Sequence, residues 1–254
     1  MREPFKVLSL FAGIGGFDLG LERTGGFKTV AFCEIEPFAV RILNKHWPEV
    51  PVYGDVRELT ADRLRADGIV PDVICGGFPC QDVSVAGKRA GLQEGTRSGL
   101  WSEVVRLTRE LRPQFLLVEN VAGLLSGPSE QPGGWFGRVL GDLAECGYDA
   151  EWENIPAAAL GAPHRRERVY LLAYPDQVGL ESRVLTPGRI HALESALVWE
   201  PFRTDDYRVR VQELAALCRN DNGFPEELGA LGNAVVPQIP ELIGRAILEA
   251  ERAA

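Results

Sequence analysis

Between residues 6 and 173 short apolar runs alternate with stretches of helical period, and this alternation limits the fold more than any other feature of the sequence. Residues 6–11 (KVLSLF), 29–33 (TVAFC), 72–75 (DVIC) and 115–118 (FLLV) are apolar runs of strand length, bounded by turn-forming residues. Helix-like sequence lies between them: up to about Arg23, and from Pro37 to His46, where a proline in the first turn loses no needed donor. Residues 148–155 and 168–173 read as two late strands, and a last helix begins near Pro240. Repeated strand–helix alternation predicts a Rossmann-like α/β domain, with a mostly parallel sheet covered by helices on both faces. In such sheets ligands bind beyond the carboxyl ends of the strands.

Residues 175–225 break the pattern. Pro, Gly, Arg and acidic residues are interspersed there with Trp199, Phe202 and Tyr207, and order returns at Leu228. This predicts one domain built from residues 1–174 and 226–254, interrupted by a short insert at 175–225. Of the 254 residues 45% are hydrophobic and 25% charged, the balance of a globular enzyme. No apolar run is long enough to span a membrane, and Met1-Arg2-Glu3-Pro4 has no signal-peptide profile, so a cytoplasmic location is expected. The net charge of −9 leaves a nucleic-acid partner open, because phosphate binding depends on local charge, and Lys88, Arg89, Arg97, Arg165, Arg166 and Arg168 fall in loop-like sequence. The five cysteines show no Cys-x-x-Cys spacing, so neither a disulfide framework nor a metal site is expected. Cys75, inside an apolar run, reads as core.

The run Phe11-Ala12-Gly13-Ile14-Gly15-Gly16-Phe17 stands where the first strand gives way to a helix. Glycines there allow a sharp turn and close approach of a ligand to free N–H groups. A dinucleotide fingerprint would need a third glycine where Asp18 stands, so a nicotinamide or flavin is disfavoured, while a tight turn without a ligand stays open. Glu34, ending the second run, suits a pair of ribose hydroxyls; Ile35 could pack on an adenine, and Asp55 could accept from its amino group. Singly each acid is equally well a turn residue or a helix cap. At successive strand ends they suggest a nucleoside site.

Gly76-Gly77-Phe78-Pro79-Cys80-Gln81 follows the run at 72–75. Glu119-Asn120-Val121, Arg166-Glu167-Arg168 and Gly232-Asn233-Ala234-Val235 come later in the chain. Together with the run from Phe11, these blocks resemble the DNA cytosine carbon-5 methyltransferase family, in a compact bacterial or phage form. The resemblance covers nearly the whole chain outside the insert. It implies S-adenosyl-L-methionine as cofactor, held by Phe11, Ala12, Gly13, Gly15, Gly16, Glu34, Ile35, Asp55, Val56, Pro79, Asn233 and Val235. It implies Cys80 as nucleophile, Glu119 on the ring nitrogen 3 and exocyclic amine of cytosine, and Arg166 and Arg168 on the base carbonyl, a phosphate or the active-site loop. The expected partner is double-stranded DNA bound by a monomer, with room for a cognate restriction endonuclease.

The chemistry accounts for these residue types. Carbon 5 of cytosine is a poor nucleophile until a thiolate adds at carbon 6 and breaks the aromaticity, a form of covalent catalysis that suits cysteine. The base must leave the duplex to be reached. Residues 81–99 read as a polar loop able to close over it, and the insert as the target-recognition region, where Arg203, Arg208, Arg210 and Arg219 either meet DNA or pair with neighbouring acids. His164 stands where the family commonly has Gln, and Asp82 and Ala86 also depart from its pattern. Methylation of RNA by the same chemistry and a catalytically silent binding module are the alternatives.

Overall fold

The computed structural model describes residues 3–79, 100–125, 134–160, 166–176 and 234–253. Seven strands form one sheet in the order β3-β2-β1-β4-β5-β7-β6. They are β1 (Phe5–Leu10), β2 (Phe27–Cys33), β3 (Val52–Tyr53), β4 (Val73–Gly77), β5 (Phe115–Val121), β6 (Tyr148–Pro156) and β7 (Glu167–Pro175). The described helices are α1 (Gly16–Arg23), α2 (Pro37–His46), α3 (Ala61–Ala66), α4 (Trp101–Leu111), α5 (Gly134–Glu145) and α6 (Gln238–Ala253). Strands β1 to β5 are parallel, and β7 runs antiparallel to both of its neighbours, β5 and β6. The mostly parallel α/β sheet expected from the sequence is therefore present. The proposed insert lies outside the described residues from 177 onward.

Alternate residues along the strands enter two separate cores, as the period of two in a strand requires. Val7, Val73, Phe115, Leu117 and Leu172 pack with Phe17 and Leu21 of α1 and with Leu242, Ile243 and Ile247 of α6. On the other face Leu8, Leu10, Ile74, Leu116 and Leu171 pack with Leu64, Trp101, Val104, Leu107, Val139 and Leu143 of α3, α4 and α5. Cys75 is fully buried, as read from the sequence.

Helix α6 lies against α1, and small residues set how closely they approach. A Cβ on Gly20 would fall 2.1 Å from the Pro237 carbonyl oxygen, so the two backbones touch there. Pro240 sits within the first turn of α6, two residues later than its start. Beyond this, α1 is tied to the sheet by polar contacts that its hydrophobic pattern does not show. The Ser9 and Thr29 hydroxyls donate to the two oxygens of Asp18, at 2.8 and 3.0 Å, and all three residues are buried. Between Val7 and Leu8 the register of β1 against β2 shifts, so that Val30 is an extra residue. The Thr29 N–H donates to the Glu22 carboxylate at 3.0 Å.

Burial pushes the Asp18 carboxyl up to about 7, against the pull of its hydroxyl donors. A group with an ordinary unfolded value and a raised folded one binds a proton on folding, so the stability it contributes is complete below about pH 4 and declines as pH rises through 7. Asp18→Asn cannot titrate. Urea melts from pH 4.5 to 8 are expected to give a flatter stability profile for the variant than for the wild type, and equal slopes would contradict the assignment. Gly20→Ala forces a methyl onto the Pro237 carbonyl and should lower unfolding free energy by roughly 1–3 kcal/mol in the same assay.

Candidate functional site

The pairing register lines up the carboxyl ends of the parallel strands. Tyr53 pairs with Cys33, Cys33 with Leu10, Leu10 with Gly76 and Gly77 with Glu119. The residues that follow these positions therefore share one edge of the sheet. Val121 of β5 pairs with Arg168 of β7, which brings the start of the antiparallel strand to that edge as well.

The loop after β1 leaves the sheet through Phe11, whose φ of 51° is left-handed and unusual for a residue with a side chain. Such strain, of order 1–3 kcal/mol, clusters at ligand sites. Gly13 (φ 54°) and Gly15 (φ 80°) continue the turn, and Gly15 caps α1. The Ala12 N–H reaches the Cys33 carbonyl at 3.4 Å. A Cβ on Gly13 would meet nothing within 4 Å among the described residues, whereas one on Gly15 would lie 2.6 Å from the Trp47 ring and one on Gly16 would lie 2.5 Å from the Val235 carbonyl oxygen. The loop is thus packed on the protein side at Gly15 and Gly16 and open at Gly13.

Glu34 faces this loop. One carboxylate oxygen accepts from Gly13 N at 2.7 Å, and the other from Ile35 N and Glu36 N at 2.8 Å each. A carboxylate accepts about four hydrogen bonds, so Glu34 retains room for one more. Ile35 beside it is 61% exposed, a large apolar side chain offered to solvent. These groups fit a nucleoside: a carboxylate for hydroxyls, an apolar surface for a ring, and an open glycine turn.

Asp55 and Val56 follow the end of the third strand, as the sequence suggests. Strand β3 has only two residues, and the Asp55 carboxylate accepts from the Arg57 backbone N and Nε, each at 2.9 Å. Arg57 holds the Asp55 carboxyl below its ordinary range. The Val56 side chain is buried in the core under α4, and its carbonyl accepts from Arg106 at 3.0 Å.

The turn after β4 leads toward the reacting residues. The buried Asn120 side chain donates to the Phe78 carbonyl at 3.1 Å and accepts from Val121 N at 2.8 Å, so β5 fixes the path of the turn. Pro79 is half-buried at its end. Cys80 and Asn233 lie outside the described residues.

Glu119 was expected to end its strand. Instead it lies inside β5, because β7 pairs with that strand as far as Val121. Arg168 lies within β7, as the predicted strand at 168–173 requires, and Arg166 stands one residue ahead of the strand. Positions two apart share a face, so Arg168 points the same way as Tyr170, whose partner across the ladder is Glu119. The Arg168 Nε stands 2.9 Å from Glu119 Oε1. That oxygen is buried and accepts no well-aligned hydrogen bond among the described residues. The short distance is therefore an ion pair without good donor geometry. Burial raises the Glu119 carboxyl above its ordinary value, opposed by Arg168 and then Arg166. Burial and the neighbouring Arg168 together lower Arg166. The result is a buried carboxyl with unused acceptor capacity and two guanidinium groups nearby.

A separate groove of about 450 Å³ lies between α4 and α5. Its arginines meet acids of the same helices, with Arg109 on Glu145 and Arg106 on Glu110. It stands on the helical layer, away from the strand ends. Among the described residues no cluster of His, Cys, Asp and Glu could hold a metal, and no helix is long and apolar enough to cross a membrane.

A family model for C-5 cytosine-specific DNA methylases matches residues 5–205. The chain belongs to that family. Among similar proteins is the Type II methyltransferase M2.BsuMI of Bacillus subtilis, 37% identical over 174 residues, covering 66% of this chain and 41% of that protein. The Type II methyltransferase M.Sau3AI of Staphylococcus aureus is 34% identical over 218 residues, covering 81% and 52%. The chain thus spans about half or less of the length of these curated relatives. A prophage-encoded chain of E. coli described as a DNA modification methyltransferase superposes with a TM-score of 0.58 at 28% identity, over 70% of this chain and 49% of that one. The S. pombe Dnmt2 methyltransferase shares the fold, with a TM-score of 0.57 at 20% identity, over 77% and 56% of the two chains.

Within this family member the sequence reading did not single out Tyr170, Trp47 or Glu22. Tyr170 is buried beside the Glu119–Arg168 pair and, like Asp18, carries its polar group into an apolar layer. A tyrosine two residues after Arg168 gave a readable sign of a shared face. Trp47 and Glu22 had none, since their meeting depends on how α1 and α2 pack.

The electrostatics can be checked without an activity assay. In carboxyl-resolved NMR, Glu119 is expected to titrate above the usual glutamate range. Arg168→Met removes the nearer positive charge and should move that titration to still higher pH, while a downward shift would show that the pair does not stabilise the carboxylate.

Proposed function

We propose that this chain transfers the methyl group of S-adenosylmethionine to carbon 5 of cytosine in duplex DNA, through a covalent adduct of Cys80 with a base flipped out of the helix. One observation supports this reading above the others. The buried Glu119 carboxyl, beside Gly77 and next to Arg168, has an oxygen lacking an aligned donor at the edge where the turn to Cys80 emerges. Family membership and relatives named as Type II methyltransferases supply the reaction class.

Gly13, Glu34, Ile35 and the Gly15–Gly16 turn would hold the cofactor, with Phe11, Ala12, Pro79 and Val235 around them and Asn233 joining from outside the described residues. Asp55 and Val56 belong to this set at its adenine end. The cofactor supplies an electrophilic methyl group on a sulfonium. The chain's own groups do the rest. The Cys80 thiolate adds to carbon 6 of the base, and the Glu119 carboxyl, whose hold on a proton is strengthened by burial, gives a proton to ring nitrogen 3 as charge develops there. That neutralises the ring and leaves carbon 5 electron-rich, able to form a bond to the methyl group as its bond to the sulfonium sulfur breaks and leaves a neutral thioether. Loss of the carbon 5 proton to a base then expels the Cys80 thiolate from carbon 6 and restores the aromatic ring. Arg166 offers its donors to the base carbonyl. Arg168 keeps the Glu119 carboxylate from being stranded without a counter-charge after it has given up its proton.

The insert at 175–225 would read the flanking bases. A cognate restriction endonuclease would be the natural partner of such an activity, and the enzyme would act as a monomer on one base at a time.

Bisulfite sequencing of plasmid DNA from cells expressing the chain is expected to show protected cytosines in one sequence context. Cys80→Ser should abolish that protection while leaving S-adenosylmethionine binding within about threefold of wild type, and Glu119→Gln should lower kcat by about 10²–10⁴-fold. Unprotected plasmid, with labelled methyl appearing in transfer RNA in vitro, would replace DNA by RNA as the substrate. Equal activity of wild type and Cys80→Ser would overturn the covalent mechanism.

A further inference from the structure

The cofactor turn is walled by a residue assigned no role so far. Trp47, which follows α2, places the outer ring of its indole where a Cβ on Gly15 would lie, at 2.6 and 2.7 Å from its two nearest carbons. The indole is gripped on its other sides. Its Nε1–H donates to Glu22 of α1 at 2.9 Å, and its ring stands edge-on to Phe32 of β2 with centroids 5.4 Å apart. Its backbone N–H closes α2 on the Leu43 carbonyl at 2.8 Å.

Glu22 is anchored in turn. Its second oxygen accepts the Thr29 N–H at the register shift of β2, and Thr29 also donates through its hydroxyl to Asp18, one helical turn before Glu22. A continuous polar path therefore runs from β1 and β2 through two carboxylates of α1 to an indole pressed on the turn. Gly15 is left-handed and caps α1, so a lateral shift of Trp47 would free the segment of backbone that presents the N–H groups of the turn.

We propose that Trp47, held by Glu22, is a positioning residue for the cofactor turn, fixing Gly15 so that the Gly13–Gly16 backbone is pre-shaped for the methyl donor. This rests on the reading of that turn as the S-adenosylmethionine site. Pre-shaping lowers the ordering cost of binding, so its loss appears as weaker cofactor affinity rather than slower chemistry. Glu22 and Trp47 act through one hydrogen bond, so removing either removes the same effect.

The test uses the full chain with Glu22→Met, Trp47→Phe and the double variant. S-adenosylmethionine is titrated by calorimetry and by tryptophan fluorescence, and kcat is measured at saturating cofactor on DNA. Each single variant is expected to raise the cofactor Kd about fivefold, the double no further than the weaker single, and kcat should stay within about twofold. Trp47→Phe should also lose most of the cofactor-induced fluorescence change. Glu22→Met removes the acceptor, leaves the indole in place and stays informative should Trp47→Phe fail to fold. Wild-type affinity in the variants, even with a lowered melting temperature, overturns the positioning role, and so do effects that multiply in the double variant. A wild-type chain that binds no S-adenosylmethionine overturns the reading of the turn itself.

Discussion

The antiparallel pairing of β7 with β5 is the constraint on which the rest of the site depends. In a wholly parallel sheet the first residues of every strand lie at the edge opposite the ligands. Because β7 runs the other way, its first residues arrive beside the last residues of β5, and Arg168 comes into register with Val121. Glu119 and Arg168 are far apart in the chain, yet this register sets them 2.9 Å apart with no loop between them. Two rigid strands thus fix a geometry that flexible segments would hold only at an entropic cost. The same pairing buries the carboxylate. A buried acid without a counter-charge would be destabilising, and the guanidinium delivered by β7 makes the position tolerable.

Much of this architecture is legible in the sequence because it depends on local pattern. The strands β1, β2 and β4 appear as short apolar runs, and α2 occupies the predicted Pro37–His46 span, opened by its proline. The start of β7 was legible to within one residue, but the full extent of β5 was not. Glu119 and Asn120 are polar, and a local reading places polar residues beyond a strand. Their inclusion is decided by ladder pairing between segments some fifty residues apart, which no window of sequence contains. The partners of the acids were hidden for the same reason. Glu34 was readable as a strand-end carboxylate, but its bond to Gly13 arises from β1 and β2 lying side by side. Asp55 was readable by its position after the third strand, but its bonds from the near neighbour Arg57 were not.

The buried polar residues separate two uses of the same chemistry. Asp18, Ser9 and Thr29 satisfy one another inside the layer between α1 and the sheet, and their effect is to fix the helix. Glu119 has one ion-pair partner and an acceptor left over. A satisfied cluster specifies a fold, while an unsatisfied group at a strand end invites a ligand. That difference, rather than burial as such, is why Glu119 is the carboxyl we propose to react. Asp18 is buried more completely and titrates near neutrality, yet it has no open side from which a substrate could approach.

The cofactor turn is assembled from distant parts of the chain, and this has a consequence for folding. Gly15 rests on Trp47, Gly16 on the Val235 carbonyl, and Gly13 on Glu34. Val235 belongs to the segment entering α6, and α6 completes the core that also holds α1. Glycine at 16 and 20 is what lets the α6 segment approach so closely, since a methyl at either position would strike a carbonyl oxygen. The shape of the turn therefore depends on contacts from the segment that enters the last described helix. The proposed nucleoside site and the α1–α6 layer are held by the same packing.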